Sequence, residues 1–170
     1  MKPAELARLT VEKYITDKNI LKHAGMLEGV DLLQAGVFVS IKTADKELRG
    51  CIGTIFPTKS SINEEIIHNA IAAATKDPRF DRIEKHELSG LIFSVDVLYP
   101  PLAVSSIEEL DPKVYGIIVI ANSGRQALLL PDLEGIDTVE AQLAICKNKA
   151  GIPVNEPVAV QKFKVERFFE

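Results

Sequence analysis

Tryptophan is missing altogether, cysteine occurs only at Cys51 and Cys146, and histidine only three times. Two cysteines are too few for the disulfide framework of a small secreted domain, and in a reducing compartment both remain thiols. Neither a Cys-x-x-Cys pair nor a His-Glu-x-x-His segment is present. That removes the common zinc patterns and an iron–sulfur cluster held within this chain. There is no dinucleotide fingerprint, and Gly50-Cys51-Ile52-Gly53-Thr54 lacks the spacing and the lysine of a phosphate loop, so no cofactor is expected. Basic excess is missing too: 20 Lys and Arg stand against 24 Asp and Glu, a net charge of −4. Without a concentrated cationic face, no nucleic-acid partner is expected. No apolar run approaches the ~20 residues of a membrane span. Met1-Lys2-Pro3-Ala4-Glu5 leads into an amphipathic pattern without the apolar core of a signal peptide. The expectation is a cytoplasmic protein with no membrane partner.

What is present is the material of one folded domain: 170 residues, 46% hydrophobic and 26% charged. Pro3 to about Asp17 carries Leu6, Leu9, Val11 and Tyr14 at helical spacing, with Pro3 suited to a first turn. Asn19 to Gln34, punctuated by Gly25 and Gly29, is expected to be a loop, with His23 in it as a solvated or capping residue. Gly36 to Lys42 and Leu48 to Phe56 flank a polar stretch and predict a β-hairpin. Ser61-Ile62-Asn63-Glu64 has the form of a capping box. It opens a helix to about Lys76 whose stripe of Ile62, Ile66, Ala70 and Ala73 faces a sheet.

Leu91 to Leu98 alternates as a strand, with Asp96 opposite its apolar face and expected to be solvated or capping. Ser106 to Leu110 opens a short helical turn. Tyr115 to Ala121 and Gln126 to Leu130 form a second hairpin about Asn122-Ser123-Gly124-Arg125, both arms apolar enough for a central, doubly covered position. Thr138 to Lys149 is a helix ended at Gly151, with Cys146 packed and inert, and Pro157 to Phe168 closes the chain as one alternating strand. Two hairpins, a late strand and intervening helices give an α+β fold with a mainly antiparallel sheet flanked by helices.

Leu48-Arg49-Gly50-Cys51-Ile52-Gly53-Thr54 is the most unusual stretch. As a strand it places Arg49, Cys51 and Gly53 on one face. An arginine beside a thiol favours the thiolate, which is the nucleophile. Two glycines imply a bulge or a close approach of another group to the main chain. The structural alternative is a buried, inert cysteine and glycines that only admit a helix. Downstream, Asp77-Pro78-Arg79-Phe80 stops the helix. Arg79 there is either an anion-binding guanidinium or, with Asp77, part of a latch in which Phe80 plugs the core.

The LRGCIG motif with Thr54, together with Ala74-Thr75-Lys76-Asp77-Pro78-Arg79-Phe80, Glu87-Leu88, Phe93-Ser94-Val95, Tyr115-Gly116-Ile117 and Leu129-Leu130-Pro131, resembles the AMMECR-one domain family. The resemblance spans nearly the whole chain in order, and its form is similar to the stand-alone prokaryotic type, protein A of the AmmeMemoRadiSam system. It implies a single domain over residues 1–170 with a larger sheet-and-helix lobe and a smaller second lobe, the motif near the cleft between them. It also implies a Memo-like protein and a radical-SAM protein as partners. Asp81 departs from the pattern, because the animal members lead one to expect proline after Phe80. Two functions stand side by side. In one, Cys51 is a nucleophile in an enzyme or enzyme component, with His68 or His86 as base. In the other, Arg49, Gly50, Gly53, Thr54, Asp77 and Arg79 shape a binding site for a small anionic ligand or a protein partner, and Cys51 is a wall residue.

Overall fold

The computed structural model describes residues 1–22 and 25–170, so the reading of His23 falls outside the described residues. In chain order the elements are α1 (Pro3–Asp17), β1 (Gly36–Thr43), β2 (Leu48–Gly53), α2 (Ile62–Thr75), β3 (Leu91–Leu98), β4 (Leu102–Ala103), β5 (Gly116–Ala121), β6 (Gln126–Leu129), α3 (Val139–Lys149), β7 (Val158–Phe163) and β8 (Val165–Phe169). Short 3-10 turns cover Lys85–Gly90 and Ile107–Glu109. This is the expected α+β fold of antiparallel sheets flanked by helices. The chain divides into two units, Met1–Val97 with Glu166–Glu170, and Leu98–Val165. Among the described residues no helix is long and apolar enough to cross a membrane.

In the first unit four strands lie in the order β2-β1-β3-β8, with β1 and β2 antiparallel. Alternation sends Val37, Val39 and Ile41 of β1 and Phe93 and Val95 of β3 to one face, where all five are fully buried. Against that face lies α2, with α1 beside it. The predicted α2 stripe is confirmed: Ile62, Ile66, Ala70 and Ala73 are buried, and the small alanines let the helix sit close to β2. Each large side chain enclosed here contributes about 1.5–3 kcal/mol of transfer free energy. Ser61 caps the helix by accepting the Glu64 amide at 3.3 Å. The reciprocal half differs from expectation: the Glu64 carboxylate takes the Ser60 amide at 3.2 Å.

Asp96 is the main correction in this unit. Expected in solvent, it is only 5% exposed, because Arg167 of β8 donates to both of its oxygens at 2.6 and 3.1 Å. Local alternation assigned it the right face and missed a partner 71 residues away.

The second unit has the sheet order β4-β7-β5-β6, antiparallel at each pair, with α3 packed on β5 and β6. Thr138 caps α3 through the Ala141 amide. Cys146 is fully buried, donates from Sγ to the Ala127 carbonyl at 3.3 Å, and has its thiol pushed up by burial. The second hairpin forms as β5 and β6. Of its arms only β5 is central, with Ile117 and Ile118 buried on opposite faces; β6 is an edge strand, apolar because α3 covers it. The single closing strand is in fact two, β7 and β8, in different sheets. They break at Lys164, whose carbonyl accepts the Tyr99 amide at 2.9 Å.

Candidate functional site

The signature strand β2 is an edge strand, paired to β1 with Ser40 opposite Cys51 and Phe38 opposite Gly53. Its two glycines face opposite ways. A Cβ on Gly50 would collide with the Ala73 carbonyl oxygen of α2, so Gly50 is what brings the helix onto the strand. A Cβ on Gly53 would enter the Phe38 ring on the other face. Arg49, Cys51 and Gly53 therefore share the face turned away from α2.

Cys51 is half-buried, with Sγ 3.3 Å from Ser40 Oγ. Its main chain is held more firmly than its thiol. The amide donates to Asp77 Oδ2 at 2.8 Å, and the carbonyl accepts from Arg79 Nη2 at a long 3.5 Å. On an edge strand these groups point away from the sheet and would otherwise lack a ladder partner. The loop after α2 takes the place of the missing strand.

Asp77 is the centre of that loop. Its side chain is 2% exposed, and it accepts from Arg79 Nε at 3.0 Å, Arg79 Nη2 at 2.7 Å and the Arg79 amide at 3.1 Å. The forked guanidinium holds the carboxyl far below the usual carboxylate range; burial opposes this and the Cys51 amide reinforces it. The Arg79 side chain is 55% exposed, and its Nη1 has no partner among the described residues. Its guanidinium carbon lies 5.4 Å from the Phe80 ring centre. Phe80 is half-buried and does not plug the core as the latch reading expected; Ile83, 1% exposed, fills that role.

Arg49 is committed elsewhere. Nε and Nη2 donate to Glu87 at 2.7 and 2.9 Å, and Nη1 donates to the Asp81 carbonyl at 2.8 Å. That fork holds the Glu87 carboxyl below its ordinary value. All three groups of the guanidinium are thus occupied, so the activation of Cys51 expected from Arg49 meets a cation already paired with a carboxylate. The same contact accounts for Asp81, where proline was expected: the chain uses its carbonyl, which proline also carries.

Thr54 donates from Oγ1 to Glu65 Oε1 at 2.7 Å and accepts from Asn69 Nδ2 at 3.2 Å. Glu65 is fully buried without a cation, yet Thr54 Oγ1, Thr58 Oγ1, the Thr58 amide and the Lys59 amide all donate to it within 2.9 Å. Burial drives its pKa up, but these four donors outweigh burial and the net shift is downward. Glu65 was not among the residues predicted for the site. The available signal was weak: a second acid beside Glu64 in the first turn of α2, downstream of two threonines.

The structure brings together Arg49, Gly50, Cys51, Gly53, Thr54, Asp77 and Arg79 at one sheet edge. His68 stands apart, exposed on α2, on the opposite side of the sheet from the Cys51 side chain. His86 is exposed in the Lys85–Gly90 turn, with Nδ1 3.2 Å from Glu84. Among the described residues no cluster of three or more His, Cys, Asp or Glu is arranged to hold a metal ion. Chemically, the edge presents one guanidinium fixed in orientation by a buried carboxylate and one half-buried thiol beside a hydroxyl.

Known proteins carry the same arrangement of sequence. A protein of Thermotoga maritima is 53% identical over 136 residues, covering 79% of this chain and 78% of its own. A protein of Clostridium acetobutylicum is 46% identical over 168 residues, 98% of this chain, but the chain spans only 35% of that protein's length. The crystal structure of an uncharacterised protein from Pyrococcus horikoshii superimposes with a TM-score of 0.86 at 30% identity, covering 99% of this chain and 89% of that one. The AMMECR1 family model matches residues 4–169, through the signature strand, the Asp77 loop and both units alike. The chain belongs to the AMMECR1 family.

Proposed function

We propose that this chain is a binding module, in which the signature strand and the 77–80 loop form a rigid edge that presents Arg79 to an anionic group on a small ligand or a protein partner. The observation that carries the reading is the division of labour between the arginines. Arg49 is consumed by Glu87 and Asp81, whereas Asp77 takes two nitrogens of Arg79 and leaves Nη1 without a partner among the described residues, on a side chain that is 55% exposed. A guanidinium already held in place loses little freedom on binding a carboxylate or phosphate. In this reading Gly50, Gly53 and Thr54 fix the strand, and Cys51 supplies main-chain groups and a small wall.

The partners follow from the family resemblance: a Memo-like protein and a radical-SAM protein in the cytoplasm, with both units of the chain acting as one domain. That the Clostridium relative carries this sequence within a much longer chain supports a module that works joined to another polypeptide. A second reading rests on the half-buried Cys51 thiol 3.3 Å from Ser40 Oγ, a group that a substrate reaching that face would meet. There the chain is an enzyme component and Cys51 an acceptor thiol, with a base supplied by a partner or by His86. Arg79→Ala and Cys51→Ala separate the two. The module reading expects loss of phosphate or partner binding with the first and retention with the second; the reverse pattern belongs to the thiol reading.

A further inference from the structure

On the helix side of the first unit, away from the Cys51 face, lies a groove of about 370 Å³. Ile20, Leu21, Lys22 and Lys59 are among its lining residues. The α2 side of the lining is Glu64, Ile67, His68 and Ile71 at helical spacing, with Ile67 only 5% exposed and Ile71 half-buried at the edge of the core. Ile20 is 53% exposed, a large apolar side chain left at the rim.

The groove lining carries two lysines and one acid. Neither Lys22 nor Lys59 has an acidic partner among the described residues. Glu64, the acid in the lining, has its carboxylate held by Ser60 at the helix cap. The Lys59 main chain is pinned from below, since its amide donates to buried Glu65 at 2.8 Å, so its ammonium starts from a fixed anchor. Burial, and then Lys59, push the His68 pKa down; Lys76 adds to this and Glu65 opposes it. Two lysine ammoniums against the one Glu64 carboxylate leave a local excess of positive charge over an apolar floor, in a protein whose net charge is −4.

We propose that this groove binds a small amphipathic anion, with an acid or phosphate head on Lys22, Lys59 and His68 and a short aliphatic chain along Ile67 and Ile71. Its volume lies at the low end of the ~300–1,000 Å³ of small-molecule sites. The apolar floor accounts for the chain, and the unpaired lysines account for the head. This site is independent of the Arg79 edge.

Methyl and imidazole NMR on the whole chain, titrated with octanoate and with octyl phosphate, tests the proposal. Both probes are expected to shift the Ile67 and Ile71 methyl signals and to raise the His68 titration midpoint, because a bound anion favours the imidazolium. The surface variant Lys22→Gln/Lys59→Gln is expected to weaken both about tenfold. The site is refuted if acetate and inorganic phosphate bind as tightly as their octyl counterparts, or if octylammonium matches octanoate. It is also refuted if neither monomeric probe moves the signals and only anionic phosphatidylglycerol vesicles do.

Discussion

Asp77 holds Cys51 by its main chain and not by its thiol: Oδ2 accepts the Cys51 amide at 2.8 Å while Sγ lies beside Ser40 Oγ. The position and the sulfur of this cysteine are therefore separable, since any residue at 51 can donate the amide.

The Asp77–Arg79 pair is asymmetric, because the acid is enclosed and the arginine is 55% exposed. Asp77→Ala strips the Cys51 amide and the guanidinium of their acceptor and is expected to cost about 3 kcal/mol. Arg79→Ala is expected to cost about 1 kcal/mol. Urea unfolding of both variants checks this; equal losses would mean that the loop does not hang on the buried carboxylate.

Acid sensitivity follows from the same group. The folded-state pKa of Asp77 is depressed, as are those of Glu65 and Glu87. Their stabilisation is therefore present above the unfolded carboxylate values of about 3.9–4.3 and is lost as pH falls through the lower folded values. Wild-type stability is expected to drop steeply below about pH 4, and Asp77→Asn is expected to flatten that limb. Urea midpoints between neutral pH and pH 3 provide the readout.

Glu65→Gln puts an NH2 group either at Oε2, against the Thr58 and Lys59 amides that already donate, or at Oε1, where the Thr54 and Thr58 hydroxyls must turn from donating to accepting. A loss of about 2–3 kcal/mol is expected. Amide exchange at Thr58 and Lys59 should accelerate more than at Val39 in the adjoining sheet. Uniform acceleration would mean that Glu65 supports the whole unit and not this loop.

Arg49 and Glu87 form a forked pair, both side chains under a quarter exposed. A double-mutant cycle with Arg49→Ala and Glu87→Ala is expected to give a coupling of about 1–2 kcal/mol. Arg49→Lys, which cannot fork, should retain less than half of it. A coupling near zero would return Arg49 to the pool of groups able to serve a ligand.

Much of the fold was legible because it follows local rules. Pro3 opened α1, Ser61 and Thr138 capped α2 and α3, and alternation sorted the faces of β1 and β3. The glycines of the signature were read as a bulge or a close approach, or as merely admitting a helix; Gly50 does admit the helix at Ala73, and Gly53 meets the Phe38 ring. What escaped was pairing over distance. Arg49 finds Glu87, Asp96 finds Arg167, and the alternating run after Pro157 changes sheets at Lys164 without any break in its pattern. Periodicity states which face a residue takes and not which strand or ion lies opposite. Glu65 was hidden for a related reason: a buried charge satisfied by amides and hydroxyls leaves no oppositely charged residue in the sequence to betray it.

The most direct measurement is the affinity of the proposed partners, a Memo-like and a radical-SAM protein, and of inorganic phosphate, for the parent chain, Arg79→Ala and Cys51→Ala, with folding of each verified by thermal melt. A binding module that presents Arg79 predicts at least a tenfold loss for Arg79→Ala and affinity close to the parent's for Cys51→Ala. Full binding by Arg79→Ala together with loss in Cys51→Ala would contradict it and make the thiol the working group of this edge.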